Sequence, residues 1–103
     1  MASMLDINKE QKDTGAVLHL QGRIDTMTAP DFERAVQEAA AESRELVLDF
    51  TGIEYISSAG LRVLLAAQKA MSKKGGMILR GVGETVSEVF EITGFCDILT
   101  IEE

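Results

Sequence analysis

Leu46-Val47-Leu48-Asp49-Phe50-Thr51-Gly52-Ile53-Glu54-Tyr55-Ile56-Ser57-Ser58-Ala59-Gly60-Leu61 is the stretch that decides the fold. Leu46 to Leu48 is a continuous apolar run, as expected of a central strand covered on both faces. The segment after it reads as a loop that delivers two adjacent serines to the start of a helix. That helix is read from Leu61 to Lys74, with Lys73 and Lys74 complementing its C-terminal end and Gly75 as the stop.

Working outward, the same alternation of strand and helix continues in both directions. Met4 to Lys9 alternates around Leu5 and Ile7 and reads as an edge strand. Ala16 to Ile24 alternates more clearly, with Leu18, Leu20, Gly22 and Ile24 on one face and Val17, His19, Gln21 and Arg23 on the other. The polar Asp13-Thr14-Gly15 stretch turns the first strand into the second as a hairpin. Thr28 is a candidate N-cap, with Pro30 in the first turn and Asp31 and Glu33 complementing the helix dipole. Phe32, Ala35, Val36 and Ala39 then mark one buried helical face. Met77 to Leu79 is a short apolar strand. Val86, Val89, Phe90 and Thr93 form a last helical face ended by Gly94, and Ile98 to Ile101 reads as a short final strand. The order ββαβαβα(β) demands parallel pairing with right-handed crossovers plus one antiparallel hairpin, which makes an α/β domain with a mixed sheet.

The chain has 103 residues, so one domain, 1–103, with one core is expected. A domain of this size buries roughly two-thirds of its unfolded surface and folds without staples. With 46% hydrophobic and 26% charged residues it has an ordinary globular mix. The net charge of −7 argues against nucleic acid and against anionic membranes, both of which attract clustered Lys and Arg. One cysteine, Cys96, excludes an internal disulfide and multi-cysteine metal sites, and one histidine, His19, excludes a two-histidine zinc site. No apolar run approaches the ~20 residues of a membrane span, and the N-terminus lacks signal-peptide order. No direct membrane insertion is expected, and the cytoplasm is the default compartment.

Functional loops in such sheets gather at the carboxyl ends of the strands, where Ser57 and Ser58 arrive. Three readings of the pair stand. One serine is simply an N-cap. Alternatively, the pair carries a phosphorylation switch, since a helix start tolerates a phosphate without unfolding. The third reading is a catalytic serine, but the nucleophile elbow needs glycines two before and two after it. Gly60 lies two after Ser58, whereas Ile56 holds the other position, and the lone histidine on another strand leaves no evident base.

Asp25 reads as an exposed strand-end carboxylate, and Asp49 reads as turn-stabilising. Glu54 is expected at the same end of the sheet as Asp25. Leu61, Val63, Leu64, Leu65, Ala66, Ala67, Ala70 and Met71 make the serine helix apolar over more than one face. Either all are buried, or Val63, Ala66, Ala67 and Ala70 leave a shallow apolar strip for a partner. Cys96 reads as a small buried residue. His19 sits on the more polar face of its strand and receives no function.

Gly22-Arg23-Ile24-Asp25, the run from Leu48-Asp49-Phe50 to Leu61, the Gly75-Gly76 turn and Val89-Phe90-Glu91-Ile92-Thr93-Gly94-Phe95 together resemble a STAS domain. The likeness is to the stand-alone anti-sigma factor antagonists of bacteria and covers nearly the whole chain in order. Their usual pattern is Asp-Ser-(Ser/Thr)-Gly-Leu, with the first serine phosphorylated by an anti-sigma factor that is itself a serine kinase. Aligned on Gly60-Leu61, the resemblance places Ser58 on the phosphorylated position and Ala59 on the second hydroxyl, with Ser57 as second choice for the phosphate. Ser57 stands where the aspartate is usual, a departure from the family.

The resemblance implies a protein-binding module with no catalysis and no cofactor, monomeric when free. Its unphosphorylated form would sequester the anti-sigma kinase, and phosphorylation at Ser58 would release it. A metal-dependent serine phosphatase would restore binding. Asp25, Ser57, Ser58, Ala59, Gly60 and Val63 are the residues expected to meet the partner. The alternative is a STAS accessory subunit docked on the cytoplasmic ATPase of a membrane transporter.

Overall fold

In the computed structural model, which describes residues 4–102, the apolar alternation of β1 (Leu5–Gln11) and β2 (Gly15–Ile24) forms the expected hairpin. Three crossover units follow, for which the right hand is the general rule: α1 (Ala29–Glu42) into β3 (Glu45–Ile56), α2 (Ser58–Met71) into β4 (Met77–Arg80), and α3 (Glu84–Thr93) into β5 (Ile101–Glu102). The sheet order is β1-β2-β3-β4-β5, with β1 antiparallel at the edge and the other pairs parallel. This is the mixed α/β sheet that the sequence pattern implies.

One expectation about that sheet is corrected. β3 is the middle strand, but Leu46 and Leu48 are buried while Val47 between them is only half-buried. The helices cover one face of the sheet alone; on the other, Val17 is buried while Val47 and Ile78 are half-buried. The topology explains it: each parallel strand is added on the same side of the last, and right-handed crossovers then lay every helix on one face. The core is therefore a single layer between helices and sheet, holding Leu18, Ile24, Leu48, Phe50, Phe32, Leu64, Leu79 and Phe90. The opposite face alternates apolar and polar in rows: Val17, Val47 and Ile78 are in register, and so are His19, Asp49 and Arg80.

A second correction concerns the length of β3. The sequence reads as a loop after Leu48, yet the strand continues to Ile56. Its buried residues fall at Leu46, Leu48, Phe50, Ile53 and Ile56, so the period of two stretches twice to three. Each stretch coincides with a register shift against β2, where His19/Gln21 face Asp49/Gly52 and Gly22/Arg23 face Ile53/Tyr55. A β-bulge adds one residue without changing which face the next apolar side chain meets. Two bulges thus hide a strand from a search for strict alternation.

Helix boundaries shift as well. The serine helix begins at Ser58 rather than Leu61 and ends at Met71, with Lys74 beyond it donating to the Ala40 and Ser43 carbonyls at the end of α1. Thr28 holds the N-cap position of α1, but its hydroxyl makes no capping bond. Phe32, Val36 and Ala39 are buried as expected, and Ala35 is half-buried. α3 ends at Gly94, whose φ of 81° is the left-handed conformation glycine adopts without strain. The last strand starts at Ile101, after a 3-10 turn at Phe95–Asp97 that takes up the residues before it. Phe95 in that turn packs against the core and Leu99 beyond it is buried in the core, while Cys96 is exposed, contrary to the buried cysteine expected.

Candidate functional site

The carboxyl ends of β2 and β3 bring the sequence-selected residues together. Ile24 and Ile56 pair in register, and the Ser57 N–H donates to the Ile24 carbonyl at 2.8 Å. Asp25 and Ser57 are thus the next residues out on two neighbouring strands. Gly60 fixes how closely α2 approaches this end. A Cβ there would lie 2.6 Å from Ile24 Cγ2 and 2.7 Å from Ile56 Cγ1, so only glycine lets the first turn of α2 rest on both isoleucines.

The two serines divide the roles that the sequence left open. Ser57 is the N-cap, with extended backbone and an Oγ that accepts from the Gly60 N–H at 3.4 Å. Its carbonyl accepts from the Leu61 N–H at 3.0 Å, which starts the helical ladder. Ser58 is the first helical residue and is exposed. Among the described residues its hydroxyl makes no hydrogen bond within these bounds, so it contributes nothing to the cap. Ala59 is half-buried and Gly60 is buried.

Asp25 organises the loop that faces the serines. Its Oδ1 accepts from the Met27 N–H at 3.0 Å and the Thr28 N–H at 3.1 Å. The Thr28 hydroxyl in turn accepts from the Asp25 N–H and donates to the Arg23 carbonyl. The Thr28 N–H bond to the charged form holds the Asp25 carboxyl below its ordinary range, against some burial and with help from Met27. Asp25 is therefore neither free nor a bare strand-end charge; its carboxylate clamps the turn that leads into α1, and its backbone carbonyl accepts from the Ala29 N–H at 2.8 Å. Glu54 is exposed, lies in the second bulge and points from the same end.

The apolar strip expected on α2 divides. Val63 and Ala67 are buried, while Ala66 and Ala70 remain exposed. Together they line a shallow groove against Val36 and Ala40 of α1. Toward the serines that groove continues as a cleft lined by Thr26, Ala29, Pro30, Ala59, Arg62 and Val63. Val63 is the floor of both, so a partner meets it only from within the groove.

Sequence reasoning missed two neighbours. Met27 is 84% exposed on the turn that Asp25 clamps, and it belongs to no helical or strand periodicity, which was the available signal. Tyr55 lies under the Arg23 guanidinium, 4.5 Å from ring centre, and no local pattern predicts that cross-strand pair before the bulges are known. Among the described residues no helix is long and apolar enough to cross a membrane.

The family model for the STAS domain matches residues 6–103 of this chain. The chain belongs to the STAS domain family. It is 31% identical over 101 residues to the anti-sigma-B factor antagonist of Listeria monocytogenes, covering 95% of this chain and 89% of that protein. The anti-sigma-B factor antagonist of Bacillus subtilis is 26% identical over 98 residues, with 94% and 90% covered. Among solved structures, an anti-sigma factor antagonist from Mycobacterium paratuberculosis superposes with a TM-score of 0.86 at 26% identity, over 94% of this chain and 84% of that one. The anti-sigma factor antagonist SpoIIAA in its unphosphorylated form superposes with a TM-score of 0.78 at 18% identity, over 95% and 89%, a likeness of fold. The STAS fold accounts for the order of elements from the opening hairpin to the last strand.

Proposed function

We propose that this STAS chain is an anti-sigma factor antagonist whose binding is switched by phosphorylation of Ser58. The observation that carries the reading is the division of labour between the serines. Ser57 caps α2, and Ser58 presents an exposed hydroxyl with no structural task. Serine and aspartate are both strong N-caps, so Ser57 keeps the cap that the family's usual aspartate would make while removing its charge. The names of the Listeria and Bacillus relatives support the partner class.

In this reading the unphosphorylated chain binds an anti-sigma factor that is a serine kinase, over Ser57, Ser58, Ala59 and Gly60, the mouth of the α1–α2 groove above Val63, and the Asp25 turn with Met27. Phosphate adds about −1.5 to −2 charges at neutral pH to a chain already at −7. The helix dipole makes that dianion acceptable to the fold, whereas a partner packed against Ser58 would have to desolvate it. Binding is lost without refolding. A metal-dependent serine phosphatase resets the chain, which itself acts as substrate and binder rather than catalyst. The test is incubation with serine kinases of the anti-sigma class, followed by mass spectrometry of the peptide spanning Ser57 and Ser58. Phosphate confined to Ser58 is expected; phosphate confined to Ser57 would overturn the assignment.

A further inference from the structure

The open face of the sheet carries a polar row that the serine site does not use. His19 of β2 stands in register with Asn8 of β1 on one side and Asp49 of β3 on the other, and Asp49 with Arg80 of β4. The imidazole lies between two carboxylates: Nε2 is 2.8 Å from Glu10 Oε1 and Nδ1 is 3.0 Å from Asp49 Oδ2. A neutral imidazole has one N–H and one lone pair, so it can satisfy only one of these acceptors and turns its lone pair on the other. Only the imidazolium donates to both. We propose that His19 is a proton-operated clasp that ties the edge strand β1 to the bulged centre of β3.

Both strands need such a tie. β1 places only Leu5 in the core, with Ile7 packed against it, and its remaining residues are exposed. Beyond the ladder itself, the side-chain bonds that hold its far half to other elements, among the described residues, are Lys9 to Glu42, Glu10 to His19 and Gln11 to the Gly15 carbonyl at the hairpin end, and of these only Lys9 to Glu42 reaches past β2 without the imidazole. On the other side, Asp49 begins the first β3 bulge, and its Oδ1 accepts from the Thr51 N–H at 3.0 Å and the Thr51 hydroxyl at 2.6 Å. That bulge sets which residues of β3 reach the core at Ile53 and beyond.

The two nearest charged groups to the ring are both carboxylates. Glu10 and Asp49 favour the imidazolium. Each carboxylate also has a cation that keeps it partnered when the ring is neutral: Lys12 lies 3.0 Å from the other Glu10 oxygen, Oε2, and Arg80 lies 3.8 Å from Asp49 Oδ2, the oxygen that the ring also meets. The helices lie across the sheet and add no charge to this face. Bonding to Glu10 first, and to Asp49 next, raises the His19 pKa above the ordinary 6.5, against slight burial. A group whose folded pKa is raised stabilises fully below its unfolded value and loses that contribution as pH rises through the folded one. The clasp is therefore closed below pH 6.5 and opens on the alkaline side of it.

His19 is the sole histidine, so its proton titration is read without assignment by NMR. The expected results are a pKa above 6.5 in the wild type and a lower value in each of Glu10→Gln and Asp49→Asn. His19→Gln should remove the part of the melting-temperature loss that the wild type shows as pH rises above 6.5 through the raised His19 pKa. A wild-type pKa at or below 6.5 would overturn the proposal, as would a fall in only one of the two carboxylate variants. If Asp49→Asn does not fold, the exposed Glu10→Gln variant and the wild-type and His19→Gln melting profiles still decide it.

Discussion

Replacing each serine of the pair by alanine separates their roles quantitatively. Ser57→Ala removes the N-cap oxygen and orphans the Gly60 N–H, which sits in a buried first turn against Ile24 and Ile56. Loss of a capping side chain costs ~0.5–2 kcal/mol. The bond here is 3.4 Å, beyond the usual range for N–H···O, which points to the lower half of that interval. For a domain near 100 residues, 1 kcal/mol moves Tm by about 4–8 °C, so a fall of roughly 2–10 °C is expected. Ser57→Asp should recover it, because aspartate caps as well as serine and adds a favourable charge at the helix start. Ser58→Ala removes an exposed hydroxyl without a partner and should stay within ~0.5 kcal/mol of wild type. Thermal denaturation by circular dichroism on the four proteins reads all of this. A Ser58→Ala variant that loses more stability than Ser57→Ala would refute the division of roles, and with it the argument that Ser58 is free for modification.

Other consequences follow from the same end of the sheet. Gly60→Ala places a methyl within 2.6 Å of the fully buried Ile24 side chain, and overpacking of ~1–3 kcal/mol should outweigh the ~1 kcal/mol that alanine gains in a helix; an unchanged or raised Tm would show that α2 does not seat on the two isoleucines. Asp25→Ala should lower Tm at neutral pH, and the gap should close as pH falls through the depressed Asp25 pKa, since a lowered carboxylate stabilises above its ordinary value and stops doing so when protonated; a pH-independent gap in an acid titration would contradict this. Met27→Glu should weaken anti-sigma factor binding at least about tenfold with an unchanged melting curve, whereas Ile92→Glu, at an equally exposed 85% on α3, should bind as wild type; titration calorimetry showing equal losses would remove Met27 from the interface.

Much of this architecture was legible because alternation and helical spacing each mark a buried face. Leu18, Leu20 and Ile24 on β2, Phe32, Val36 and Ala39 on α1, and Val86 and Phe90 on α3 all reach the core as their spacing implies. Legibility fails where a rule of local period is interrupted. The bulges after Asp49 and Ile53 break the period of two, so the second half of β3 reads as loop and α2 reads three residues late. It fails again where topology decides: Leu46-Val47-Leu48 is as apolar as a doubly covered strand, yet consecutive right-handed crossovers leave one face without helices and Val47 half-buried. At the site, the family likeness placed Ser58, Ser57 and Asp25 on one end of the sheet. It took three-dimensional contacts to show that Ser57 caps, that Asp25 clamps a turn, and that Met27 stands out beside them. Nothing in the local sequence pairs His19 with both Glu10 and Asp49, which lie nine residues before it and thirty after.

The most direct measurement for the proposed switch is the affinity of the anti-sigma kinase for this chain before and after stoichiometric phosphorylation, with the modified residue mapped on the same sample. The account predicts phosphate on Ser58, a circular dichroism spectrum unchanged by it, and binding at least about tenfold weaker, or ~1.4 kcal/mol and more. A sample fully phosphorylated at Ser58 that binds as tightly as the unmodified chain would contradict the account, and would favour a subunit docked constitutively on a transporter ATPase.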